Sequence, residues 1–255
     1  MQLSTEISGI SKKVRAISRS ISNVLVPNSC LLCDVHLARH GGCCPSCWSD
    51  LAFIQAPVCP VMGTPFSVDM GDNFLSAEAI ANPPPFDRLR AVLSYDEQAR
   101  RLVSLIKYSD RTDLVPWISK WMWVAGKQLI DDADVVLPVP LHPSRLRKRR
   151  FNQAGEMARC LGKIGNLEYN SGILHRRKAT RQQVGLTEKE REKNVAGAFV
   201  VPEANRVHLK GKRVLLIDDV YTTGATVKAA TRALKRGGAS NIDVLVFSKV
   251  ETDPS

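Results

Sequence analysis

Two adjacent acids, Asp218 and Asp219, followed by Thr222, Thr223, Gly224, Ala225 and Thr226, could together hold a phosphorylated sugar. The Thr hydroxyls and the free backbone N–H groups at the start of a helix would donate to a phosphate. The acids would repel that phosphate unless they faced another part of the ligand. Vicinal hydroxyls are the natural partner, because one carboxylate accepts from two ribose oxygens. Ahead of the acids, Val214 to Ile217 form a short apolar run suited to a parallel strand covered on both faces. Behind them, Val227, Ala230 and Leu234 recur with the helical period. The segment is therefore expected to be strand, turn and helix, with Gly224 letting the backbone come close. Simple helix capping is the alternative reading, but a cap needs one Asp or Thr and this turn carries five.

A second chemistry lies near the N-terminus. Six of the seven cysteines fall between Cys30 and Cys59, and four of them form Cys30-x-x-Cys33 and Cys44-x-x-Cys47. Each C-x-x-C turn places two thiolates on one side of a knuckle, and two knuckles complete a tetrahedral S4 zinc site. A disulfide framework competes, but it belongs to secreted chains and no signal-like apolar segment opens this one. His36, His40 and Cys43 are spare candidates, and Cys160 reads as core packing. Farther on, Cys59-Pro-Val-Met62-Gly63 has a thioether where a fourth-residue thiol would complete another pair. A thioether is a poor zinc ligand, so one structural zinc is expected.

Two basic segments could also meet anions. Leu137-Pro-Val139-Pro140 ends an apolar run in a rigid loop, and Arg145, Arg147, Lys148, Arg149 and Arg150 follow at once. Cations there could hold a second phosphate at the same sheet edge, or a nucleic-acid strand. The other segment runs from Leu174 through Arg176, Arg177, Lys178 and Arg181 to Arg191 and Phe199. A long basic loop in a compact domain reads either as a lid or as a solvated surface.

The elements that must position these groups follow from length and rhythm. A chain of 255 residues with a net charge of +11 fits one α/β domain plus a small module, with a preference for polyanions or phosphorylated ligands. No stretch is long and apolar enough to cross a membrane, so a cytoplasmic protein is expected. Ile7, Ile10, Val14, Ile17 and Ile21, interleaved with Lys and Arg, predict a basic amphipathic helix over 1–25. The cysteine module spans 26–66. A connector over 67–85 ends in the stiff Asn82-Pro-Pro-Pro85, and a second domain spans 86–250. There, apolar runs at 91–95, 135–139, 214–217 and 242–247 alternate with helical segments, among them Arg101 to Lys107 and Trp117 to Ile130. This is the rhythm of a mostly parallel sheet with helices on both faces.

In order, these pieces resemble the ComF family, which includes ComFC and GntX-like proteins, over nearly the whole chain after Val24. The resemblance rests on the cysteine knuckles, Leu105-Ile-Lys107-Tyr108, Pro138-Val-Pro140 with the basic run to Phe151-Asn152-Gln153, the Arg176-to-Phe199 loop, and Asp218 to Thr226. It implies a zinc ribbon ahead of a type I phosphoribosyltransferase domain that binds phosphoribosyl pyrophosphate (PRPP) with Mg2+. Asp218 and Asp219 would take the ribose hydroxyls, and Thr222 to Thr226 the 5'-phosphate. Val139-Pro140 would be the pyrophosphate loop, and Arg176, Arg181 and Arg191 would belong to a mobile loop closing over it. Lys107 would help neutralise the leaving group. Members are linked to DNA uptake in natural transformation, which implies single-stranded DNA, competence helicase or recombination proteins as partners. Two roles stay open: phosphoribosyl transfer to an unknown acceptor, and a non-catalytic PRPP or nucleotide sensor that binds single-stranded DNA. Arg147, Lys148, Arg149 and Arg150 are the candidate nucleic-acid contacts.

Overall fold

The computed structural model describes residues 29–38, 42–71, 73–108, 111–149, 151–180 and 187–251, and the helix expected over 1–25 lies outside them. The chain divides into two compact units, Met1–Asp50 and Leu51–Ser255. In the first, the described residues form the two cysteine turns and a short helix α1 (Pro45–Ser49), which Cys44 caps through its sulfur.

The second unit contains, in order, α2 (Ala77–Ala81), β1 (Arg88–Ser94), α3 (Glu97–Tyr108), α4 (Val115–Ala125), α5 (Lys127–Asp132), β2 (Val135–Pro138), α6 (Pro143–Arg149), α7 (Gln153–Gly165), β3 (Glu168–Tyr169), β4 (His175–Arg176), α8 (Glu188–Val195), β5 (Phe199–Val200), β6 (Arg213–Tyr221), α9 (Ala225–Arg236) and β7 (Asn241–Lys249). Five strands form one sheet in the order β1-β7-β6-β2-β3, every pair parallel. All five carboxyl ends therefore share one edge, where open α/β sheets collect ligands. Adjacent strand residues face opposite ways. Phe247 of β7 accordingly stacks on Trp121 of α4, while Val244 and Val246 join Val227, Ala230 and Leu234 of α9 in the core on the other face. Burying Val227 and Leu234 contributes about 1.5–3 kcal/mol each, which fixes α9 and the turn that feeds it.

Residues 51–66, grouped by sequence with the cysteines, are hydrogen-bonded to the sheet. Ile54 N–H donates to Val92 O at 2.9 Å and Leu89 N–H to Val61 O at 2.7 Å. Three differences from the sequence expectations bear on the site. The strand expected to end at Ile217 runs on to Tyr221, because β7 keeps pairing with it through Asp218, Val220 and Tyr221. The helical stretch 117–130 is two helices, broken at Gly126, where a Cβ would stand 2.5 Å from Leu245 Cδ2. The basic segment 174–199 is not all loop. Its ends pair as β4 and β5, and α8 starts inside it on a capping box in which Thr187 and Glu190 satisfy each other's backbone N–H groups.

Candidate functional site

The acids stand at the end of the central strand β6. Asp219 Oδ2 meets Lys107 Nζ from the last turn of α3 at 2.9 Å. Asp219 N–H donates to Asp218 Oδ1 at 2.9 Å, holding the first carboxylate beside the second. Burial, and then the Asp219 charge, push the Asp218 carboxyl up to about 7, against the pull of Lys107 and Arg176. Lys107 is held above its usual value: burial opposes this, but the Asp219 and Asp218 charges outweigh burial and the neighbouring Arg149. Two acids and a lysine thus share one low-dielectric pocket edge, with the lysine occupying one acid.

After Tyr221 the chain enters the Thr222-to-Thr226 turn. Gly224 has φ 73° and is the N-cap of α9, with no side chain capping the helix start. A Cβ at this glycine would lie 2.3 Å from Tyr221 Oη, so only glycine fits the turn. Tyr221 is buried and meets Phe86 edge to face, which anchors the floor of the turn. Thr223 Oγ1 is buried with no hydrogen-bond partner among the described residues. A buried hydroxyl left in that state at an open helix start is suited to an anion.

Three arginines from separate elements converge on the same edge. Arg191 of α8 reaches Thr222, Nη1 to Oγ1 at 3.5 Å. Arg176 of β4 is buried, lies over the Phe199 ring at 5.2 Å and donates to Thr180 Oγ1. Burial, and then the charge of Arg145, lower its guanidinium to about 10, while Asp218 opposes this. The Nε atoms of Arg176 and Arg191 are buried without partners among the described residues. Arg145 of α6 donates to Thr180 O at 2.9 Å and so fastens the basic segment to the loop after β2. In that loop, Val139 N–H donates to Ile217 O at 2.8 Å, and Asn152 Nδ2 donates to Val139 O at 3.1 Å. Val139-Pro140 is thereby held beside the β6 acids.

Of the sequence candidates, the structure brings together Lys107, Val139, Pro140, Arg176, Arg191, Asp218, Asp219 and the Thr222-to-Thr226 turn. The basic run after β2 is divided. Arg149 is half-buried and senses Lys107, whereas Arg147 is exposed. Arg150 and Arg181 lie outside the described residues, as does the side chain of Lys148. Sequence reasoning gave Arg145 no role of its own and passed over Lys249. Lys249 is fully buried at the end of β7, with Nζ 2.6 Å from Thr64 Oγ1 and 3.7 Å from Glu78 Oε2. A lysine closing a strand with the apolar run Val244 to Phe247 was the available signal.

In the first unit, the sulfurs of Cys30, Cys33, Cys44 and Cys47 all lie within 4.8 Å of one another, and Cys33 Sγ is 3.6 Å from Cys44 Sγ. Four thiolates bound at about 2.3 Å to a tetrahedral zinc lie about 3.8 Å apart, so the residues fit the ion. Burial pushes the Cys30 thiol up, but the backbone N–H groups of Cys44 and Leu32 more than reverse this and bring it to about 6. A thiol made acidic by backbone donors is suited to metal ligation. The spare candidate Cys43 is pushed up to about 12 by burial and by the charges of Cys30 and Cys44; Cys33 is raised too, and so is Cys47, by burial and the neighbouring thiols.

The chain is thus a parallel-sheet α/β protein with an N-terminal, zinc-ribbon-like cluster of four cysteines. Residues 153–253 match the phosphoribosyl transferase domain, and residues 21–79 match the double zinc ribbon domain. The DNA utilization protein YhgH of Escherichia coli O157:H7 is 29% identical over 86% of this chain and 96% of its own length. Competence protein F of Haemophilus influenzae is 25% identical, and competence protein ComFC of Bacillus subtilis 26%, each over 84% of this chain and more than nine-tenths of its own length. The resemblance to the ComF family therefore holds over most of the chain. Among solved structures, an allosteric regulatory enzyme of purine biosynthesis shares 20% identity at a TM-score of 0.38, and this chain spans 30% of its length. Orotate phosphoribosyltransferase from Aeropyrum pernix shares 14% at 0.31. Among the described residues, no helix is long and apolar enough to cross a membrane.

Proposed function

We propose that this chain binds PRPP at the carboxyl edge of its sheet and transfers the phosphoribosyl group to an acceptor. The observation that carries this reading is three buried donors without partners among the described residues, Thr223 Oγ1, Arg176 Nε and Arg191 Nε, with Arg191 reaching Thr222 and Arg176 acting on Asp218. Stray donors buried in a core would cost about 1–3 kcal/mol each. Beside a bound anion such donors gain partners. In this reading Asp218 and Asp219 accept from the ribose hydroxyls, and the Thr222-to-Thr226 turn with the start of α9 binds the 5'-phosphate. Lys107 leaves Asp219 to join Arg149 and the Val139-Pro140 loop around the pyrophosphate. Mg2+ carried on the pyrophosphate supplies charge neutralisation there.

Transfer breaks the bond from ribose C1 to a pyrophosphate oxygen and forms one from C1 to the acceptor. Fixed cations that stabilise the departing polyanion make the largest contribution to such a step. Arg176 of β4 and Arg191 of α8 flank the site and keep out water. The matching experiment measures pyrophosphate released from PRPP and Mg2+ against a panel of bases, nucleosides and single-stranded DNA. Release that depends on one acceptor supports transfer. A PRPP-stabilised protein that releases none with any acceptor supports the sensing role.

The names of its relatives favour a second property, a link to DNA utilization and competence. The exposed Arg147 side of α6 offers a basic surface for single-stranded DNA, separate from the half-buried Arg149 beside Lys107.

A further inference from the structure

Residues 58–82 repeat the backbone of the cysteine module. Cys30 N–H donates to Val35 O at 2.8 Å, and Cys59 N–H donates to Thr64 O at 2.8 Å. The turn is closed by Asp34 N–H to Cys30 O at 3.2 Å in one case and by Gly63 N–H to Cys59 O at 2.9 Å in the other. Asp34 and Gly63 have the left-handed φ values 59° and 60°. Antiparallel bridges flank both turns, Ser29 with His36 and Val58 with Pro65.

The second halves also correspond. Cys44 N–H donates to Cys30 Sγ at 3.2 Å, and Ser76 N–H to Cys59 Sγ at 3.3 Å. Cys44 caps the five-residue helix α1 by accepting from Cys47 N–H at 3.4 Å, and Ser76 caps the five-residue α2 by accepting from Ala79 N–H at 3.4 Å. Met62 thus stands where Cys33 does, Ser76 where Cys44 does, and Ala79 where Cys47 does.

We propose that residues 58–82 are a second zinc ribbon that has given up its metal: the knuckles persist, three of four ligand positions hold Met62, Ser76 and Ala79, and packing on the sheet replaces the ion. Cys59, Met62 and Ala79 are buried and belong to the same core as Leu89, Val244 and Val246. Arg90 Nη1 donates to Pro60 O at 3.0 Å on the first turn. Lys249 ties Thr64, just after that turn, to Glu78 in α2. An isolated ribbon has no comparable core and depends on its ion, whereas this one is built onto the end of β7 and β1. The double zinc ribbon match runs to residue 79, the last of the four positions.

The proposal is independent of the sugar-phosphate reading, and metal content tests it. Wild-type protein purified without chelator is expected to carry one zinc per chain, and Met62→Leu to carry the same and remain folded. The triple variant Met62→Cys, Ser76→Cys, Ala79→Cys, made in zinc-containing medium, is expected to carry two. After exchange into cobalt, its thiolate-to-cobalt absorption should about double. Two zincs in wild type, or loss of an ion in Met62→Leu, would show that the second ribbon still binds metal. A triple variant that holds only one zinc, or that folds no better with zinc than without it, would show that the four positions do not form a site.

Discussion

In the cysteine module every ligand atom comes from two turns between Cys30 and Cys47, whereas the sheet-edge site draws Lys107 from α3, Arg176 from β4, Arg191 from α8 and its acids from β6. Local spacing alone builds the first. The second exists only when the whole parallel sheet is in place, since its groups are neighbours through strand order rather than sequence. Small modules without a core depend on an ion for their folding free energy, while a sheet-edge site inherits rigidity from buried strands and can leave donors unpaired for a ligand.

The largest effect should come from breaking the local site. A structural zinc supplies about 10–16 kcal/mol of folding free energy, so Cys44→Ser is expected to lose the ion and to open residues 30–47 to protease. The Leu51–Ser255 unit should keep its cooperative melt. Elemental analysis with limited proteolysis checks this, and collapse of both units together would erase the distinction. Next is Gly224→Ala, which forces a Cβ toward Tyr221 Oη at a left-handed φ. It should cost about 2–4 kcal/mol in a urea titration and abolish PRPP binding.

A smaller effect follows from protons. Asp218 titrates at about 7 in the folded chain, above the roughly 3.9 of an unfolded Asp. The folded state keeps a proton that the unfolded state has released. This group's stabilisation is therefore complete below pH of about 4 and is lost as pH rises through about 7. Asp218→Asn should flatten that stretch of the stability curve and stabilise the unliganded protein at pH 8 by about 1–3 kcal/mol. PRPP needs the ionised acid, so calorimetry in buffers of different ionisation enthalpy should show proton release on binding near neutral pH, absent in the variant. The smallest effect concerns the outer face of α6, where Arg147→Ala should reduce the log-log salt slope of single-stranded DNA binding by about 0.7. The PRPP shift should not change. An unaltered slope would remove Arg147 from the DNA surface.

Much of this was legible in the sequence because periodicity and spacing are local. α9 begins at Ala225 as its apolar period implies, and the two C-x-x-C pairs converge as their spacing requires. The end of β6 was not legible, because the backbone of Asp218 to Tyr221 is held extended by β7, a partner from another part of the chain. α8 was missed although Thr187-x-x-Glu190 is a capping box, since charge density in the segment suggested loop. The Lys107 to Asp219 pair and the division of the arginine run between Arg149 and Arg147 depend on strand order and helix rotation, which spacing does not encode. The second ribbon was legible only in its first half. Cys59-x-x-Met62 reads as a pair with one ligand lost, but Ser76-x-x-Ala79 carries no ligand, and only the bonds of Ser76 N–H to Cys59 Sγ and Ala79 N–H to Ser76 Oγ mark it as the other half.

The most direct test of the central claim is a thermal melt with and without PRPP and Mg2+, on wild type and on Asp218→Asn with Asp219→Asn. A ligand that binds only the folded state raises stability by about 2.7 kcal/mol at a hundred times its Kd, which is an upward shift of several degrees. The wild type is expected to show that shift and the double variant to lose most of it while remaining folded. An equal shift in both would mean that the paired acids at the end of β6 do not hold the ribose.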